Sequence, residues 1–294
     1  MDIASQNGHL EVVKYLHSLG QNGTHNAIDR ASLNGHLEVV KYLHSIKQNG
    51  THDAINYASR NGHLKVITYL HEMKNECTTH AMDWASEHGH LKVVKYLHSI
   101  GKNCTTRAID FASLNGHIDV IKYLHKINKN FTTYAIEFAS ANNYLELIKY
   151  LFCILKNCII NKFDCSRQSD KIDYLHSIKN DYITNAMDIA SSNGNLKVVK
   201  FLHSIGNSCT NLAMNWSSQN GHLKVVKYLH FIKKDCTNEA MDLASQSGHL
   251  DIVKYLHSIK KNCTTNAMDY ASRNGHLDII KYLHKIGKLT QRNR

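Results

Sequence analysis

The sequence predicts an all-α protein, a solenoid of helix-turn-helix repeats joined by short loops with little or no β-hairpin. Two observations predict it: a glycine recurs in a constant context every 27 residues, and each repeat has the apolar pattern of two helices. A fixed period of this size is the signature of a repeat array. We expect residues 1–294 to form a single array of about eleven repeats.

A glycine that follows the first helical segment marks each repeat. It stands at Gly8, Gly35, Gly62, Gly89 and Gly116, and again at Gly194, Gly221, Gly248 and Gly275. Asn143 keeps the register where glycine is missing, and Arg167 holds the position in a degenerate repeat at about residues 152–179. Because interfaces between neighbours stabilise a solenoid, this degenerate repeat is either a weak point of the array or a harmless decayed unit.

Each repeat reads as two helices with different apolar faces. In one of them, Ala81, Met82 and Ala85 lie on one side of the first helix, which Thr79 is expected to cap. The second helix runs from about His90 to Ile100 and is apolar over more than half of its circumference. Such a helix must be covered on both flanks, and similar neighbouring repeats supply that cover.

The stretches Ala31–Leu43 and Ala271–Leu283 resemble the A-A-x-x-G-H-L-x-V-V-x-x-L core of the ankyrin repeat. The resemblance covers nearly all of the chain and is to the short repeats found in amoebae and giant viruses. The usual ankyrin repeat has about 33 residues, and its T-P-L-H opening is absent here. Loops such as Gly101–Thr106 leave no room for the family's β-hairpin. The resemblance implies a protein-binding module with no common activity or cofactor.

Three positions of the first helix differ freely among the repeats, and their i, i+4, i+7 spacing puts them on one helical face. We expect this face to line the concave side of the array and to bind a partner protein, because aromatic residues and Arg are frequent interface hot spots. The candidate contact residues are Tyr57, Arg60, Trp84, Glu87, Arg107, Phe111, Tyr134, Phe138, Trp216 and Tyr270. The middle position has an alternative role, packing against the first helix of the next repeat.

A row of lysines on the second helices supports an alternative function. The lysine row consists of Lys14, Lys41, Lys95, Lys122, Lys149, Lys200, Lys227, Lys254 and Lys281. With the net charge of +11, it could meet nucleic-acid phosphates or an acidic surface. Against this, acidic residues such as Glu11 and Asp119 lie beside it, and no aromatic residues are expected there to stack on bases. A third alternative is repeat expansion with no dedicated partner.

Cysteine, histidine and aspartate recur with the repeat, so their number does not indicate chemistry. The recurring cysteines share a position with Gly, Phe and Tyr, and successive layers about 10 Å apart are too distant for a disulfide. Histidines near the end of each second helix are expected to bond its last carbonyls. Aspartates near the start of each first helix are favoured by the helix dipole. We expect no metal, no cofactor and no catalytic residue, and therefore not an enzyme.

The remaining expectations concern location and assembly. No apolar run reaches the ~20 residues that a membrane-spanning helix needs. Free thiols fit a reducing compartment, so we expect an intracellular protein, cytoplasmic or in the host cytoplasm if it is viral. We expect a monomer. Because the first repeat lacks its own cap and half of its first helix, we expect either a truncated start or a cap made by other sequence.

Overall fold

The computed structural model describes residues 1–162 and 185–292, and this part of the chain contains helices, turns and no strand. It confirms the predicted all-α helix-turn-helix architecture. The first helices of the repeats are α1 (Asp2–Gln6), α3 (His25–Leu33), α5 (Asp53–Arg60), α7 (His80–Glu87), α9 (Arg107–Leu114), α11 (Thr133–Ala141), α13 (residues 185–192), α15 (Asn211–Gln219), α17 (Glu239–Gln246) and α19 (Asn266–Arg273). The second helices are α2 (Leu10–Ser18), α4 (Leu37–Ser45), α6 (Leu64–Glu72), α8 (Leu91–Ser99), α10 (Ile118–Lys126), α12 (Leu145–Lys162), α14 (Leu196–Ser204), α16 (Leu223–Phe231), α18 (Leu250–Ser258) and α20 (Leu277–Arg292).

The chain divides into two compact blocks, an N-terminal block (Met1–Phe138) and a C-terminal block (Ala139–Arg294). Within each block, first helices pack on first helices, as α3 does on α1 and α5, and α17 on α15 and α19. Second helices pack on second helices in the same way, as α16 does on α14 and α18. Each repeat is therefore one layer of a two-helix stack.

The apolar faces predicted from the sequence form the core. In the repeat of α3 and α4, the side chains of Ala27, Ile28, Ala31, Val40 and Leu43 are fully buried. The small alanines let neighbouring first helices approach closely. Burying one side chain of the size of Val, Ile or Leu contributes about 1.5–3 kcal/mol. The same positions are buried in the repeat of Ala81, Met82 and Ala85, as predicted.

A hydrogen-bonded Asp–Thr pair joins successive layers. Thr105 donates its N–H to Asp83 Oδ1 at 2.8 Å and its hydroxyl to Asp83 Oδ2 at 2.9 Å. Equivalent pairs join Asp2 to Thr24, Asp29 to Thr51, Asp110 to Thr132, Asp188 to Thr210 and Asp242 to Thr264. The aspartates thus bond a neighbouring layer, a role that the helix-dipole argument missed.

The capping residue differs from the predicted one. Thr79 has helical backbone angles and makes no side-chain capping bond. Thr78 caps α7 instead, because its Oγ1 accepts a 3.2 Å hydrogen bond from the N–H of His80. Two adjacent threonines precede α7. The one that caps the helix is Thr78, which also donates its N–H to Asn56 in the preceding layer.

The repeat glycine packs against a histidine of the next layer. Gly89 has φ +75°, and a Cβ added there would lie 2.6 Å from His117 Cε1. The histidine that precedes each second helix also reaches back one layer, as His63 Nε2 does to the Leu33 carbonyl oxygen at 3.0 Å. Glycine at this position therefore provides both a left-handed turn and space for the imidazole ring.

The histidines near the end of the second helices have a partner other than the predicted carbonyls. His98 Nδ1 lies 2.8 Å from the hydroxyl of Tyr123 in the next repeat, and His203 Nδ1 lies 2.9 Å from that of Tyr228. His44 differs, since its buried Nδ1 has no hydrogen-bond partner. Burial lowers the pKa of His44.

Within the C-terminal block, the last residues of α11 and the helix α12 contact the repeat of α13 and α14. Asn195 donates its Nδ2 to the carbonyl oxygens of Ser140 and Ala141, both at 2.8 Å. The rings of Phe152 and Phe201 meet edge to face at 6.2 Å. These contacts match those between consecutive repeats elsewhere. Residues 163–179 of the predicted weak point lie outside the described residues, so the weak point and the count of about eleven repeats in one array stay predictions.

Candidate functional site

The three variable positions of the first helices form a surface at which no side chain is fully buried. We call this surface, in the N-terminal block, the variable face. Its residues are Asn26, Arg30, Leu33, Asp53, Tyr57, Arg60, His80, Trp84, Glu87, Arg107, Phe111, Leu114, Tyr134 and Phe138. The alanine side of each first helix lies in the core, which leaves the variable positions at the surface.

A first ring cluster lies on α5 and α7. The rings of Tyr57 and Trp84 are parallel, with centroids 5.9 Å apart and an interplanar angle of 8°. On α7, the imidazole of His80 stacks on the Trp84 ring, with the two ring centroids 5.0 Å apart. Arg60 ends α5 three residues after Tyr57, and it is exposed. The sequence identified three of these four residues as candidates and missed His80, although it holds the first variable position of its repeat.

A second ring cluster lies on α9 and α11. Phe138 contacts Phe111 at 5.8 Å between ring centroids and stacks on Tyr134 at 5.7 Å. The guanidinium of Arg107 lies 5.2 Å from the Phe111 ring centroid, within range of a cation–π interaction. Tyr134 is 56% exposed, so this cluster offers a large accessible ring.

The middle variable position serves packing and exposure at the same time. Tyr57 and Trp84 hold this position in successive repeats, and so do Phe111 and Phe138, and each pair is in ring contact. All four side chains nevertheless stay half-buried. The alternative that this position packs against the next repeat is therefore seen in the structure, and it leaves part of each ring accessible.

The candidates in the C-terminal block are not brought together. Trp216 lies on α15 and Tyr270 on α19, and α17 packs between these two helices. Trp216 is 37% exposed, and Leu212, one turn before it, is 41% exposed. Leu212 was not predicted as a contact residue, although its variable position was recognised.

The lysine row has two kinds of neighbour. Lys14, Lys41 and Lys149 form ion pairs with a glutamate three residues earlier, at 2.7, 2.9 and 2.7 Å. Four other members lie over a tyrosine ring of the next repeat: Lys95, Lys200, Lys227 and Lys254, at 5.7, 5.5, 5.5 and 5.9 Å from the ring centroids. The expectation that no aromatic residues accompany this row is therefore wrong.

The recurring cysteines are partly or fully shielded from solvent, Cys209 being buried and the other four half-buried. Cys77, Cys104, Cys209, Cys236 and Cys263 are free thiols. Burial raises the pKa of Cys104 and of Cys209 to about 11, and it also raises the pKa of the other three. Thiolates of this kind are scarce at neutral pH, which disfavours nucleophilic chemistry and metal binding.

Metal-binding groups and cavities are two further kinds of candidate site. Within residues 1–162 and 185–292, no three His, Cys, Asp or Glu side chains form a group suited to a metal ion. A cavity of about 590 Å³ in the last repeat is lined by Met268, Asp269 and Leu283. In an earlier repeat, the loop of the next layer occupies this place, since a Cβ at Gly50 would lie 2.8 Å from Asp29 Oδ1.

A helix that crosses a membrane must be both long and apolar. In the part of the chain that the structure describes, no helix combines the length and the apolar character needed to cross a bilayer.

Family models of repeat proteins match this sequence. A family model described as "Ankyrin repeats (3 copies)" matches residues 30–108, 186–269 and 214–293, and one described as "Ankyrin repeats (many copies)" matches residues 1–44. The crystal structure of the human ASB11 ankyrin repeat domain aligns with a TM-score of 0.49 and 15% identity, over 68% of this chain and 96% of that one. No curated protein matches significantly. Since the family models match more than half of the sequence, the chain belongs to the ankyrin repeat family.

Proposed function

We propose that this protein is a binding scaffold whose partner protein contacts the variable face. Ankyrin repeats are in general protein–protein interaction modules. Binding rests on the complementarity of shape and charge, and no reaction is catalysed. We further propose that the scaffold acts as a monomer inside the cell, where the free thiols stay reduced.

The observation that supports this proposal is the pair of ring clusters on the variable face. Tyr57 stacks on Trp84, and Phe111 contacts Phe138, yet all four rings remain half-buried. Repeats with other side chains at the middle position, such as Leu243, keep the same two-helix layer. The rings are therefore not needed for the fold, and aromatic side chains with part of their surface exposed are typical hot spots.

The two clusters suggest distinct roles for the candidate residues. The rings of Tyr57, Trp84, Phe111, Tyr134 and Phe138 supply the apolar contact area. The charged side chains of Arg60, Glu87 and Arg107 flank these rings and select the partner through charge complementarity. Trp216 and Tyr270 lie in the C-terminal block and make separate contacts there.

The test is capture of partners from cell lysate with the intact chain and with a variant of four substitutions: Tyr57→Leu, Trp84→Leu, Phe111→Leu and Phe138→Leu. Leucine is the matched replacement because Leu243 holds the equivalent position. Arg60→Ala and Arg107→Ala form a second variant that leaves the rings in place. Both variants are compared at low and high salt, after circular dichroism has verified their helix content.

A protein that the intact chain retains at high salt and the leucine variant loses supports the proposal. Retention that both variants leave unchanged argues against the variable face as the binding surface. A lysate that yields no retained protein at any salt concentration favours repeat expansion without a dedicated partner.

A further inference from the structure

A second surface stands out on the second helices of the C-terminal block. On α12, Lys149 pairs with Glu146 at 2.7 Å. On α14 and α16 the position equivalent to Glu146 holds Lys197 and Lys224, so the row lysines Lys200 and Lys227 have another cation in place of that partner. Since α14 packs on α16, four exposed ammonium groups lie on two neighbouring helices.

The row lysines of this surface lie against aromatic rings. Lys200 Nζ is 5.5 Å from the ring centroid of Tyr228, and Lys227 Nζ is 5.5 Å from that of Tyr255. Each tyrosine hydroxyl is held by a histidine of the preceding repeat, at 2.9 Å for Tyr228 and 2.8 Å for Tyr255. The rings are therefore fixed, and the lysine stems extend across them toward the next repeat.

Phe231 is the third feature of this surface. Its side chain is 79% exposed, whereas the equivalent positions on α14 and α18 hold Ser204 and Ser258, which donate to backbone carbonyls at 2.7 and 2.6 Å. The Phe231 ring lies 6.3 Å from that of Tyr228. On α16, Lys224, Lys227 and Phe231 are spaced i, i+3 and i+7, so the aromatic ring and the two cations share one helical face.

We propose that this basic–aromatic surface, formed by Lys197, Lys200, Lys224, Lys227 and Phe231, binds single-stranded nucleic acid. The ammonium groups contact successive phosphates, and an unpaired base stacks on the Phe231 ring. Proteins that bind single strands without sequence preference combine these two elements, a cationic track and exposed aromatic side chains. This surface is on the second helices and is separate from the variable face, so the inference does not depend on the proposed partner protein.

Single-stranded nucleic acid fits this surface better than other polyanions do. An anionic bilayer offers negative charge but no planar ring, and one exposed phenylalanine inserts little apolar area into it. An acidic protein segment satisfies the lysines but needs an added aromatic side chain at the right place to stack on Phe231, whereas every unpaired nucleotide carries a planar base next to its phosphate. The adjacent helix α18 presents Asp251, whose Oδ1 accepts a 2.9 Å bond from the N–H of Ile252. This carboxylate limits the cationic track on that side.

The experiment measures the fluorescence anisotropy of a dye-labelled oligothymidylate of about 20 nucleotides titrated with the full chain at several salt concentrations. Lys197→Glu with Lys224→Glu installs the glutamate–lysine pairs found on α2, α4 and α12. Phe231→Ser installs the side chain found on α14 and α18. Lys65→Glu with Lys92→Glu makes the same charge change on α6 and α8, where no exposed aromatic residue stands at the Phe231 position.

The two variants of the surface have different expected signatures. The double glutamate variant is expected to bind the oligonucleotide at least about tenfold more weakly. The negative slope of log affinity against log salt is expected to become shallower by about 2 or more. Phe231→Ser is expected to weaken binding about 5- to 150-fold, with the slope unchanged, because stacking is lost while the charges stay. The control on α6 and α8 is expected to have a smaller effect than the variant on α14 and α16.

Three results would overturn the proposal. The first is an equal loss of affinity from the control and from the α14–α16 variant, which indicates diffuse attraction by net charge. The second is wild-type affinity in Phe231→Ser, or equal affinity for a duplex of the same length, which excludes base stacking. The third is binding to vesicles of phosphatidylserine and phosphatidylcholine without binding to the oligonucleotide, which assigns the surface to membranes.

Discussion

The Asp–Thr pair between successive layers allows a quantitative test of what stabilises the stack. Asp83 is 4% exposed and accepts hydrogen bonds of 2.8 and 2.9 Å from Thr105. Replacing Asp83 by Ala removes both acceptors, and a hydrogen bond to a charged group contributes about 1.5–3 kcal/mol. Burial raises the pKa of the Asp83 carboxyl, which shows that desolvation opposes these bonds. Water can also solvate the exposed Thr105. We therefore expect Asp83→Ala to lower the free energy of unfolding by about 2–4 kcal/mol.

The chain itself supplies the control substitution. Asn56 holds the equivalent position one repeat earlier, where its Oδ1 accepts from the N–H of Thr78 at 3.2 Å and its Nδ2 donates to Thr78 Oγ1 at 3.1 Å. Asp83→Asn is therefore expected to keep the link between layers and to cost at most about 1 kcal/mol. It also removes a buried carboxyl whose raised pKa makes the folded state more stable as the pH falls toward that pKa.

The assay is equilibrium denaturation followed by the fluorescence of Trp84, which adjoins Asp83 in sequence, in a Trp216→Phe background. Thr105→Val and the double variant with Asp83→Ala complete a double-mutant cycle, whose coupling energy is expected to be at least about 1 kcal/mol. A loss below about 0.5 kcal/mol in Asp83→Ala, or an equal loss in Asp83→Asn, would refute the idea that this pair holds the layers together.

Three further predictions use the same preparations. Gly89→Ala is expected to lower the free energy of unfolding by about 1–2 kcal/mol because of its left-handed backbone, and further because the new Cβ clashes with His117. Gly101 has the same φ of +75°, but a Cβ there would meet no atom beyond its chain neighbours within 4 Å. Gly101→Ala is therefore expected to show only the backbone cost in denaturant melts. Burial lowers the pKa of three histidines, namely His44, His90 and His222. Below pH ~6.5 the folded state thus binds fewer protons than the unfolded state, and unfolding free energy is expected to fall between pH ~7.5 and ~5.5 in melts at each pH. Cys104 is half-buried and burial raises its pKa to about 11, so it is expected to react with iodoacetamide much more slowly than exposed Cys153, as peptide mass spectrometry would show.

Periodicity explains why the helices and the core could be predicted. The apolar positions of one repeat, such as Ala81, Met82 and Ala85, recur at a fixed spacing, and a helix converts that spacing directly into a buried face. Contacts between repeats are different in kind. Gly89 and His117, or His98 and Tyr123, are separated by roughly one repeat, and periodicity states only that each position recurs. It does not state which recurring positions touch, so these pairs and the Asp–Thr pair emerged from the structure.

The candidate site also has one part that could be predicted from the sequence and one part that could not. That the variable positions lie at the surface followed from their opposition to the buried alanines on the helical wheel. The grouping of the rings into one cluster around Trp84 and another around Phe138 depends on side-chain directions that spacing alone leaves open. The participation of His80 had a usable signal, since an imidazole four residues before Trp84 on a helix faces it.

The contrast between scaffold and variable positions decides which substitutions test binding cleanly. Scaffold residues such as Asp83, Gly89 and His98 each contact a neighbouring layer, so a change there alters the stack itself. Trp84 belongs to the variable face but also stacks on Tyr57, so its removal affects stability and binding together. Arg60 is exposed and belongs to no such stack. A loss of partner affinity in Arg60→Ala, with the unfolding free energy unchanged, therefore reports on recognition alone, and it is the first substitution from which a contact energy can be read without a correction for folding.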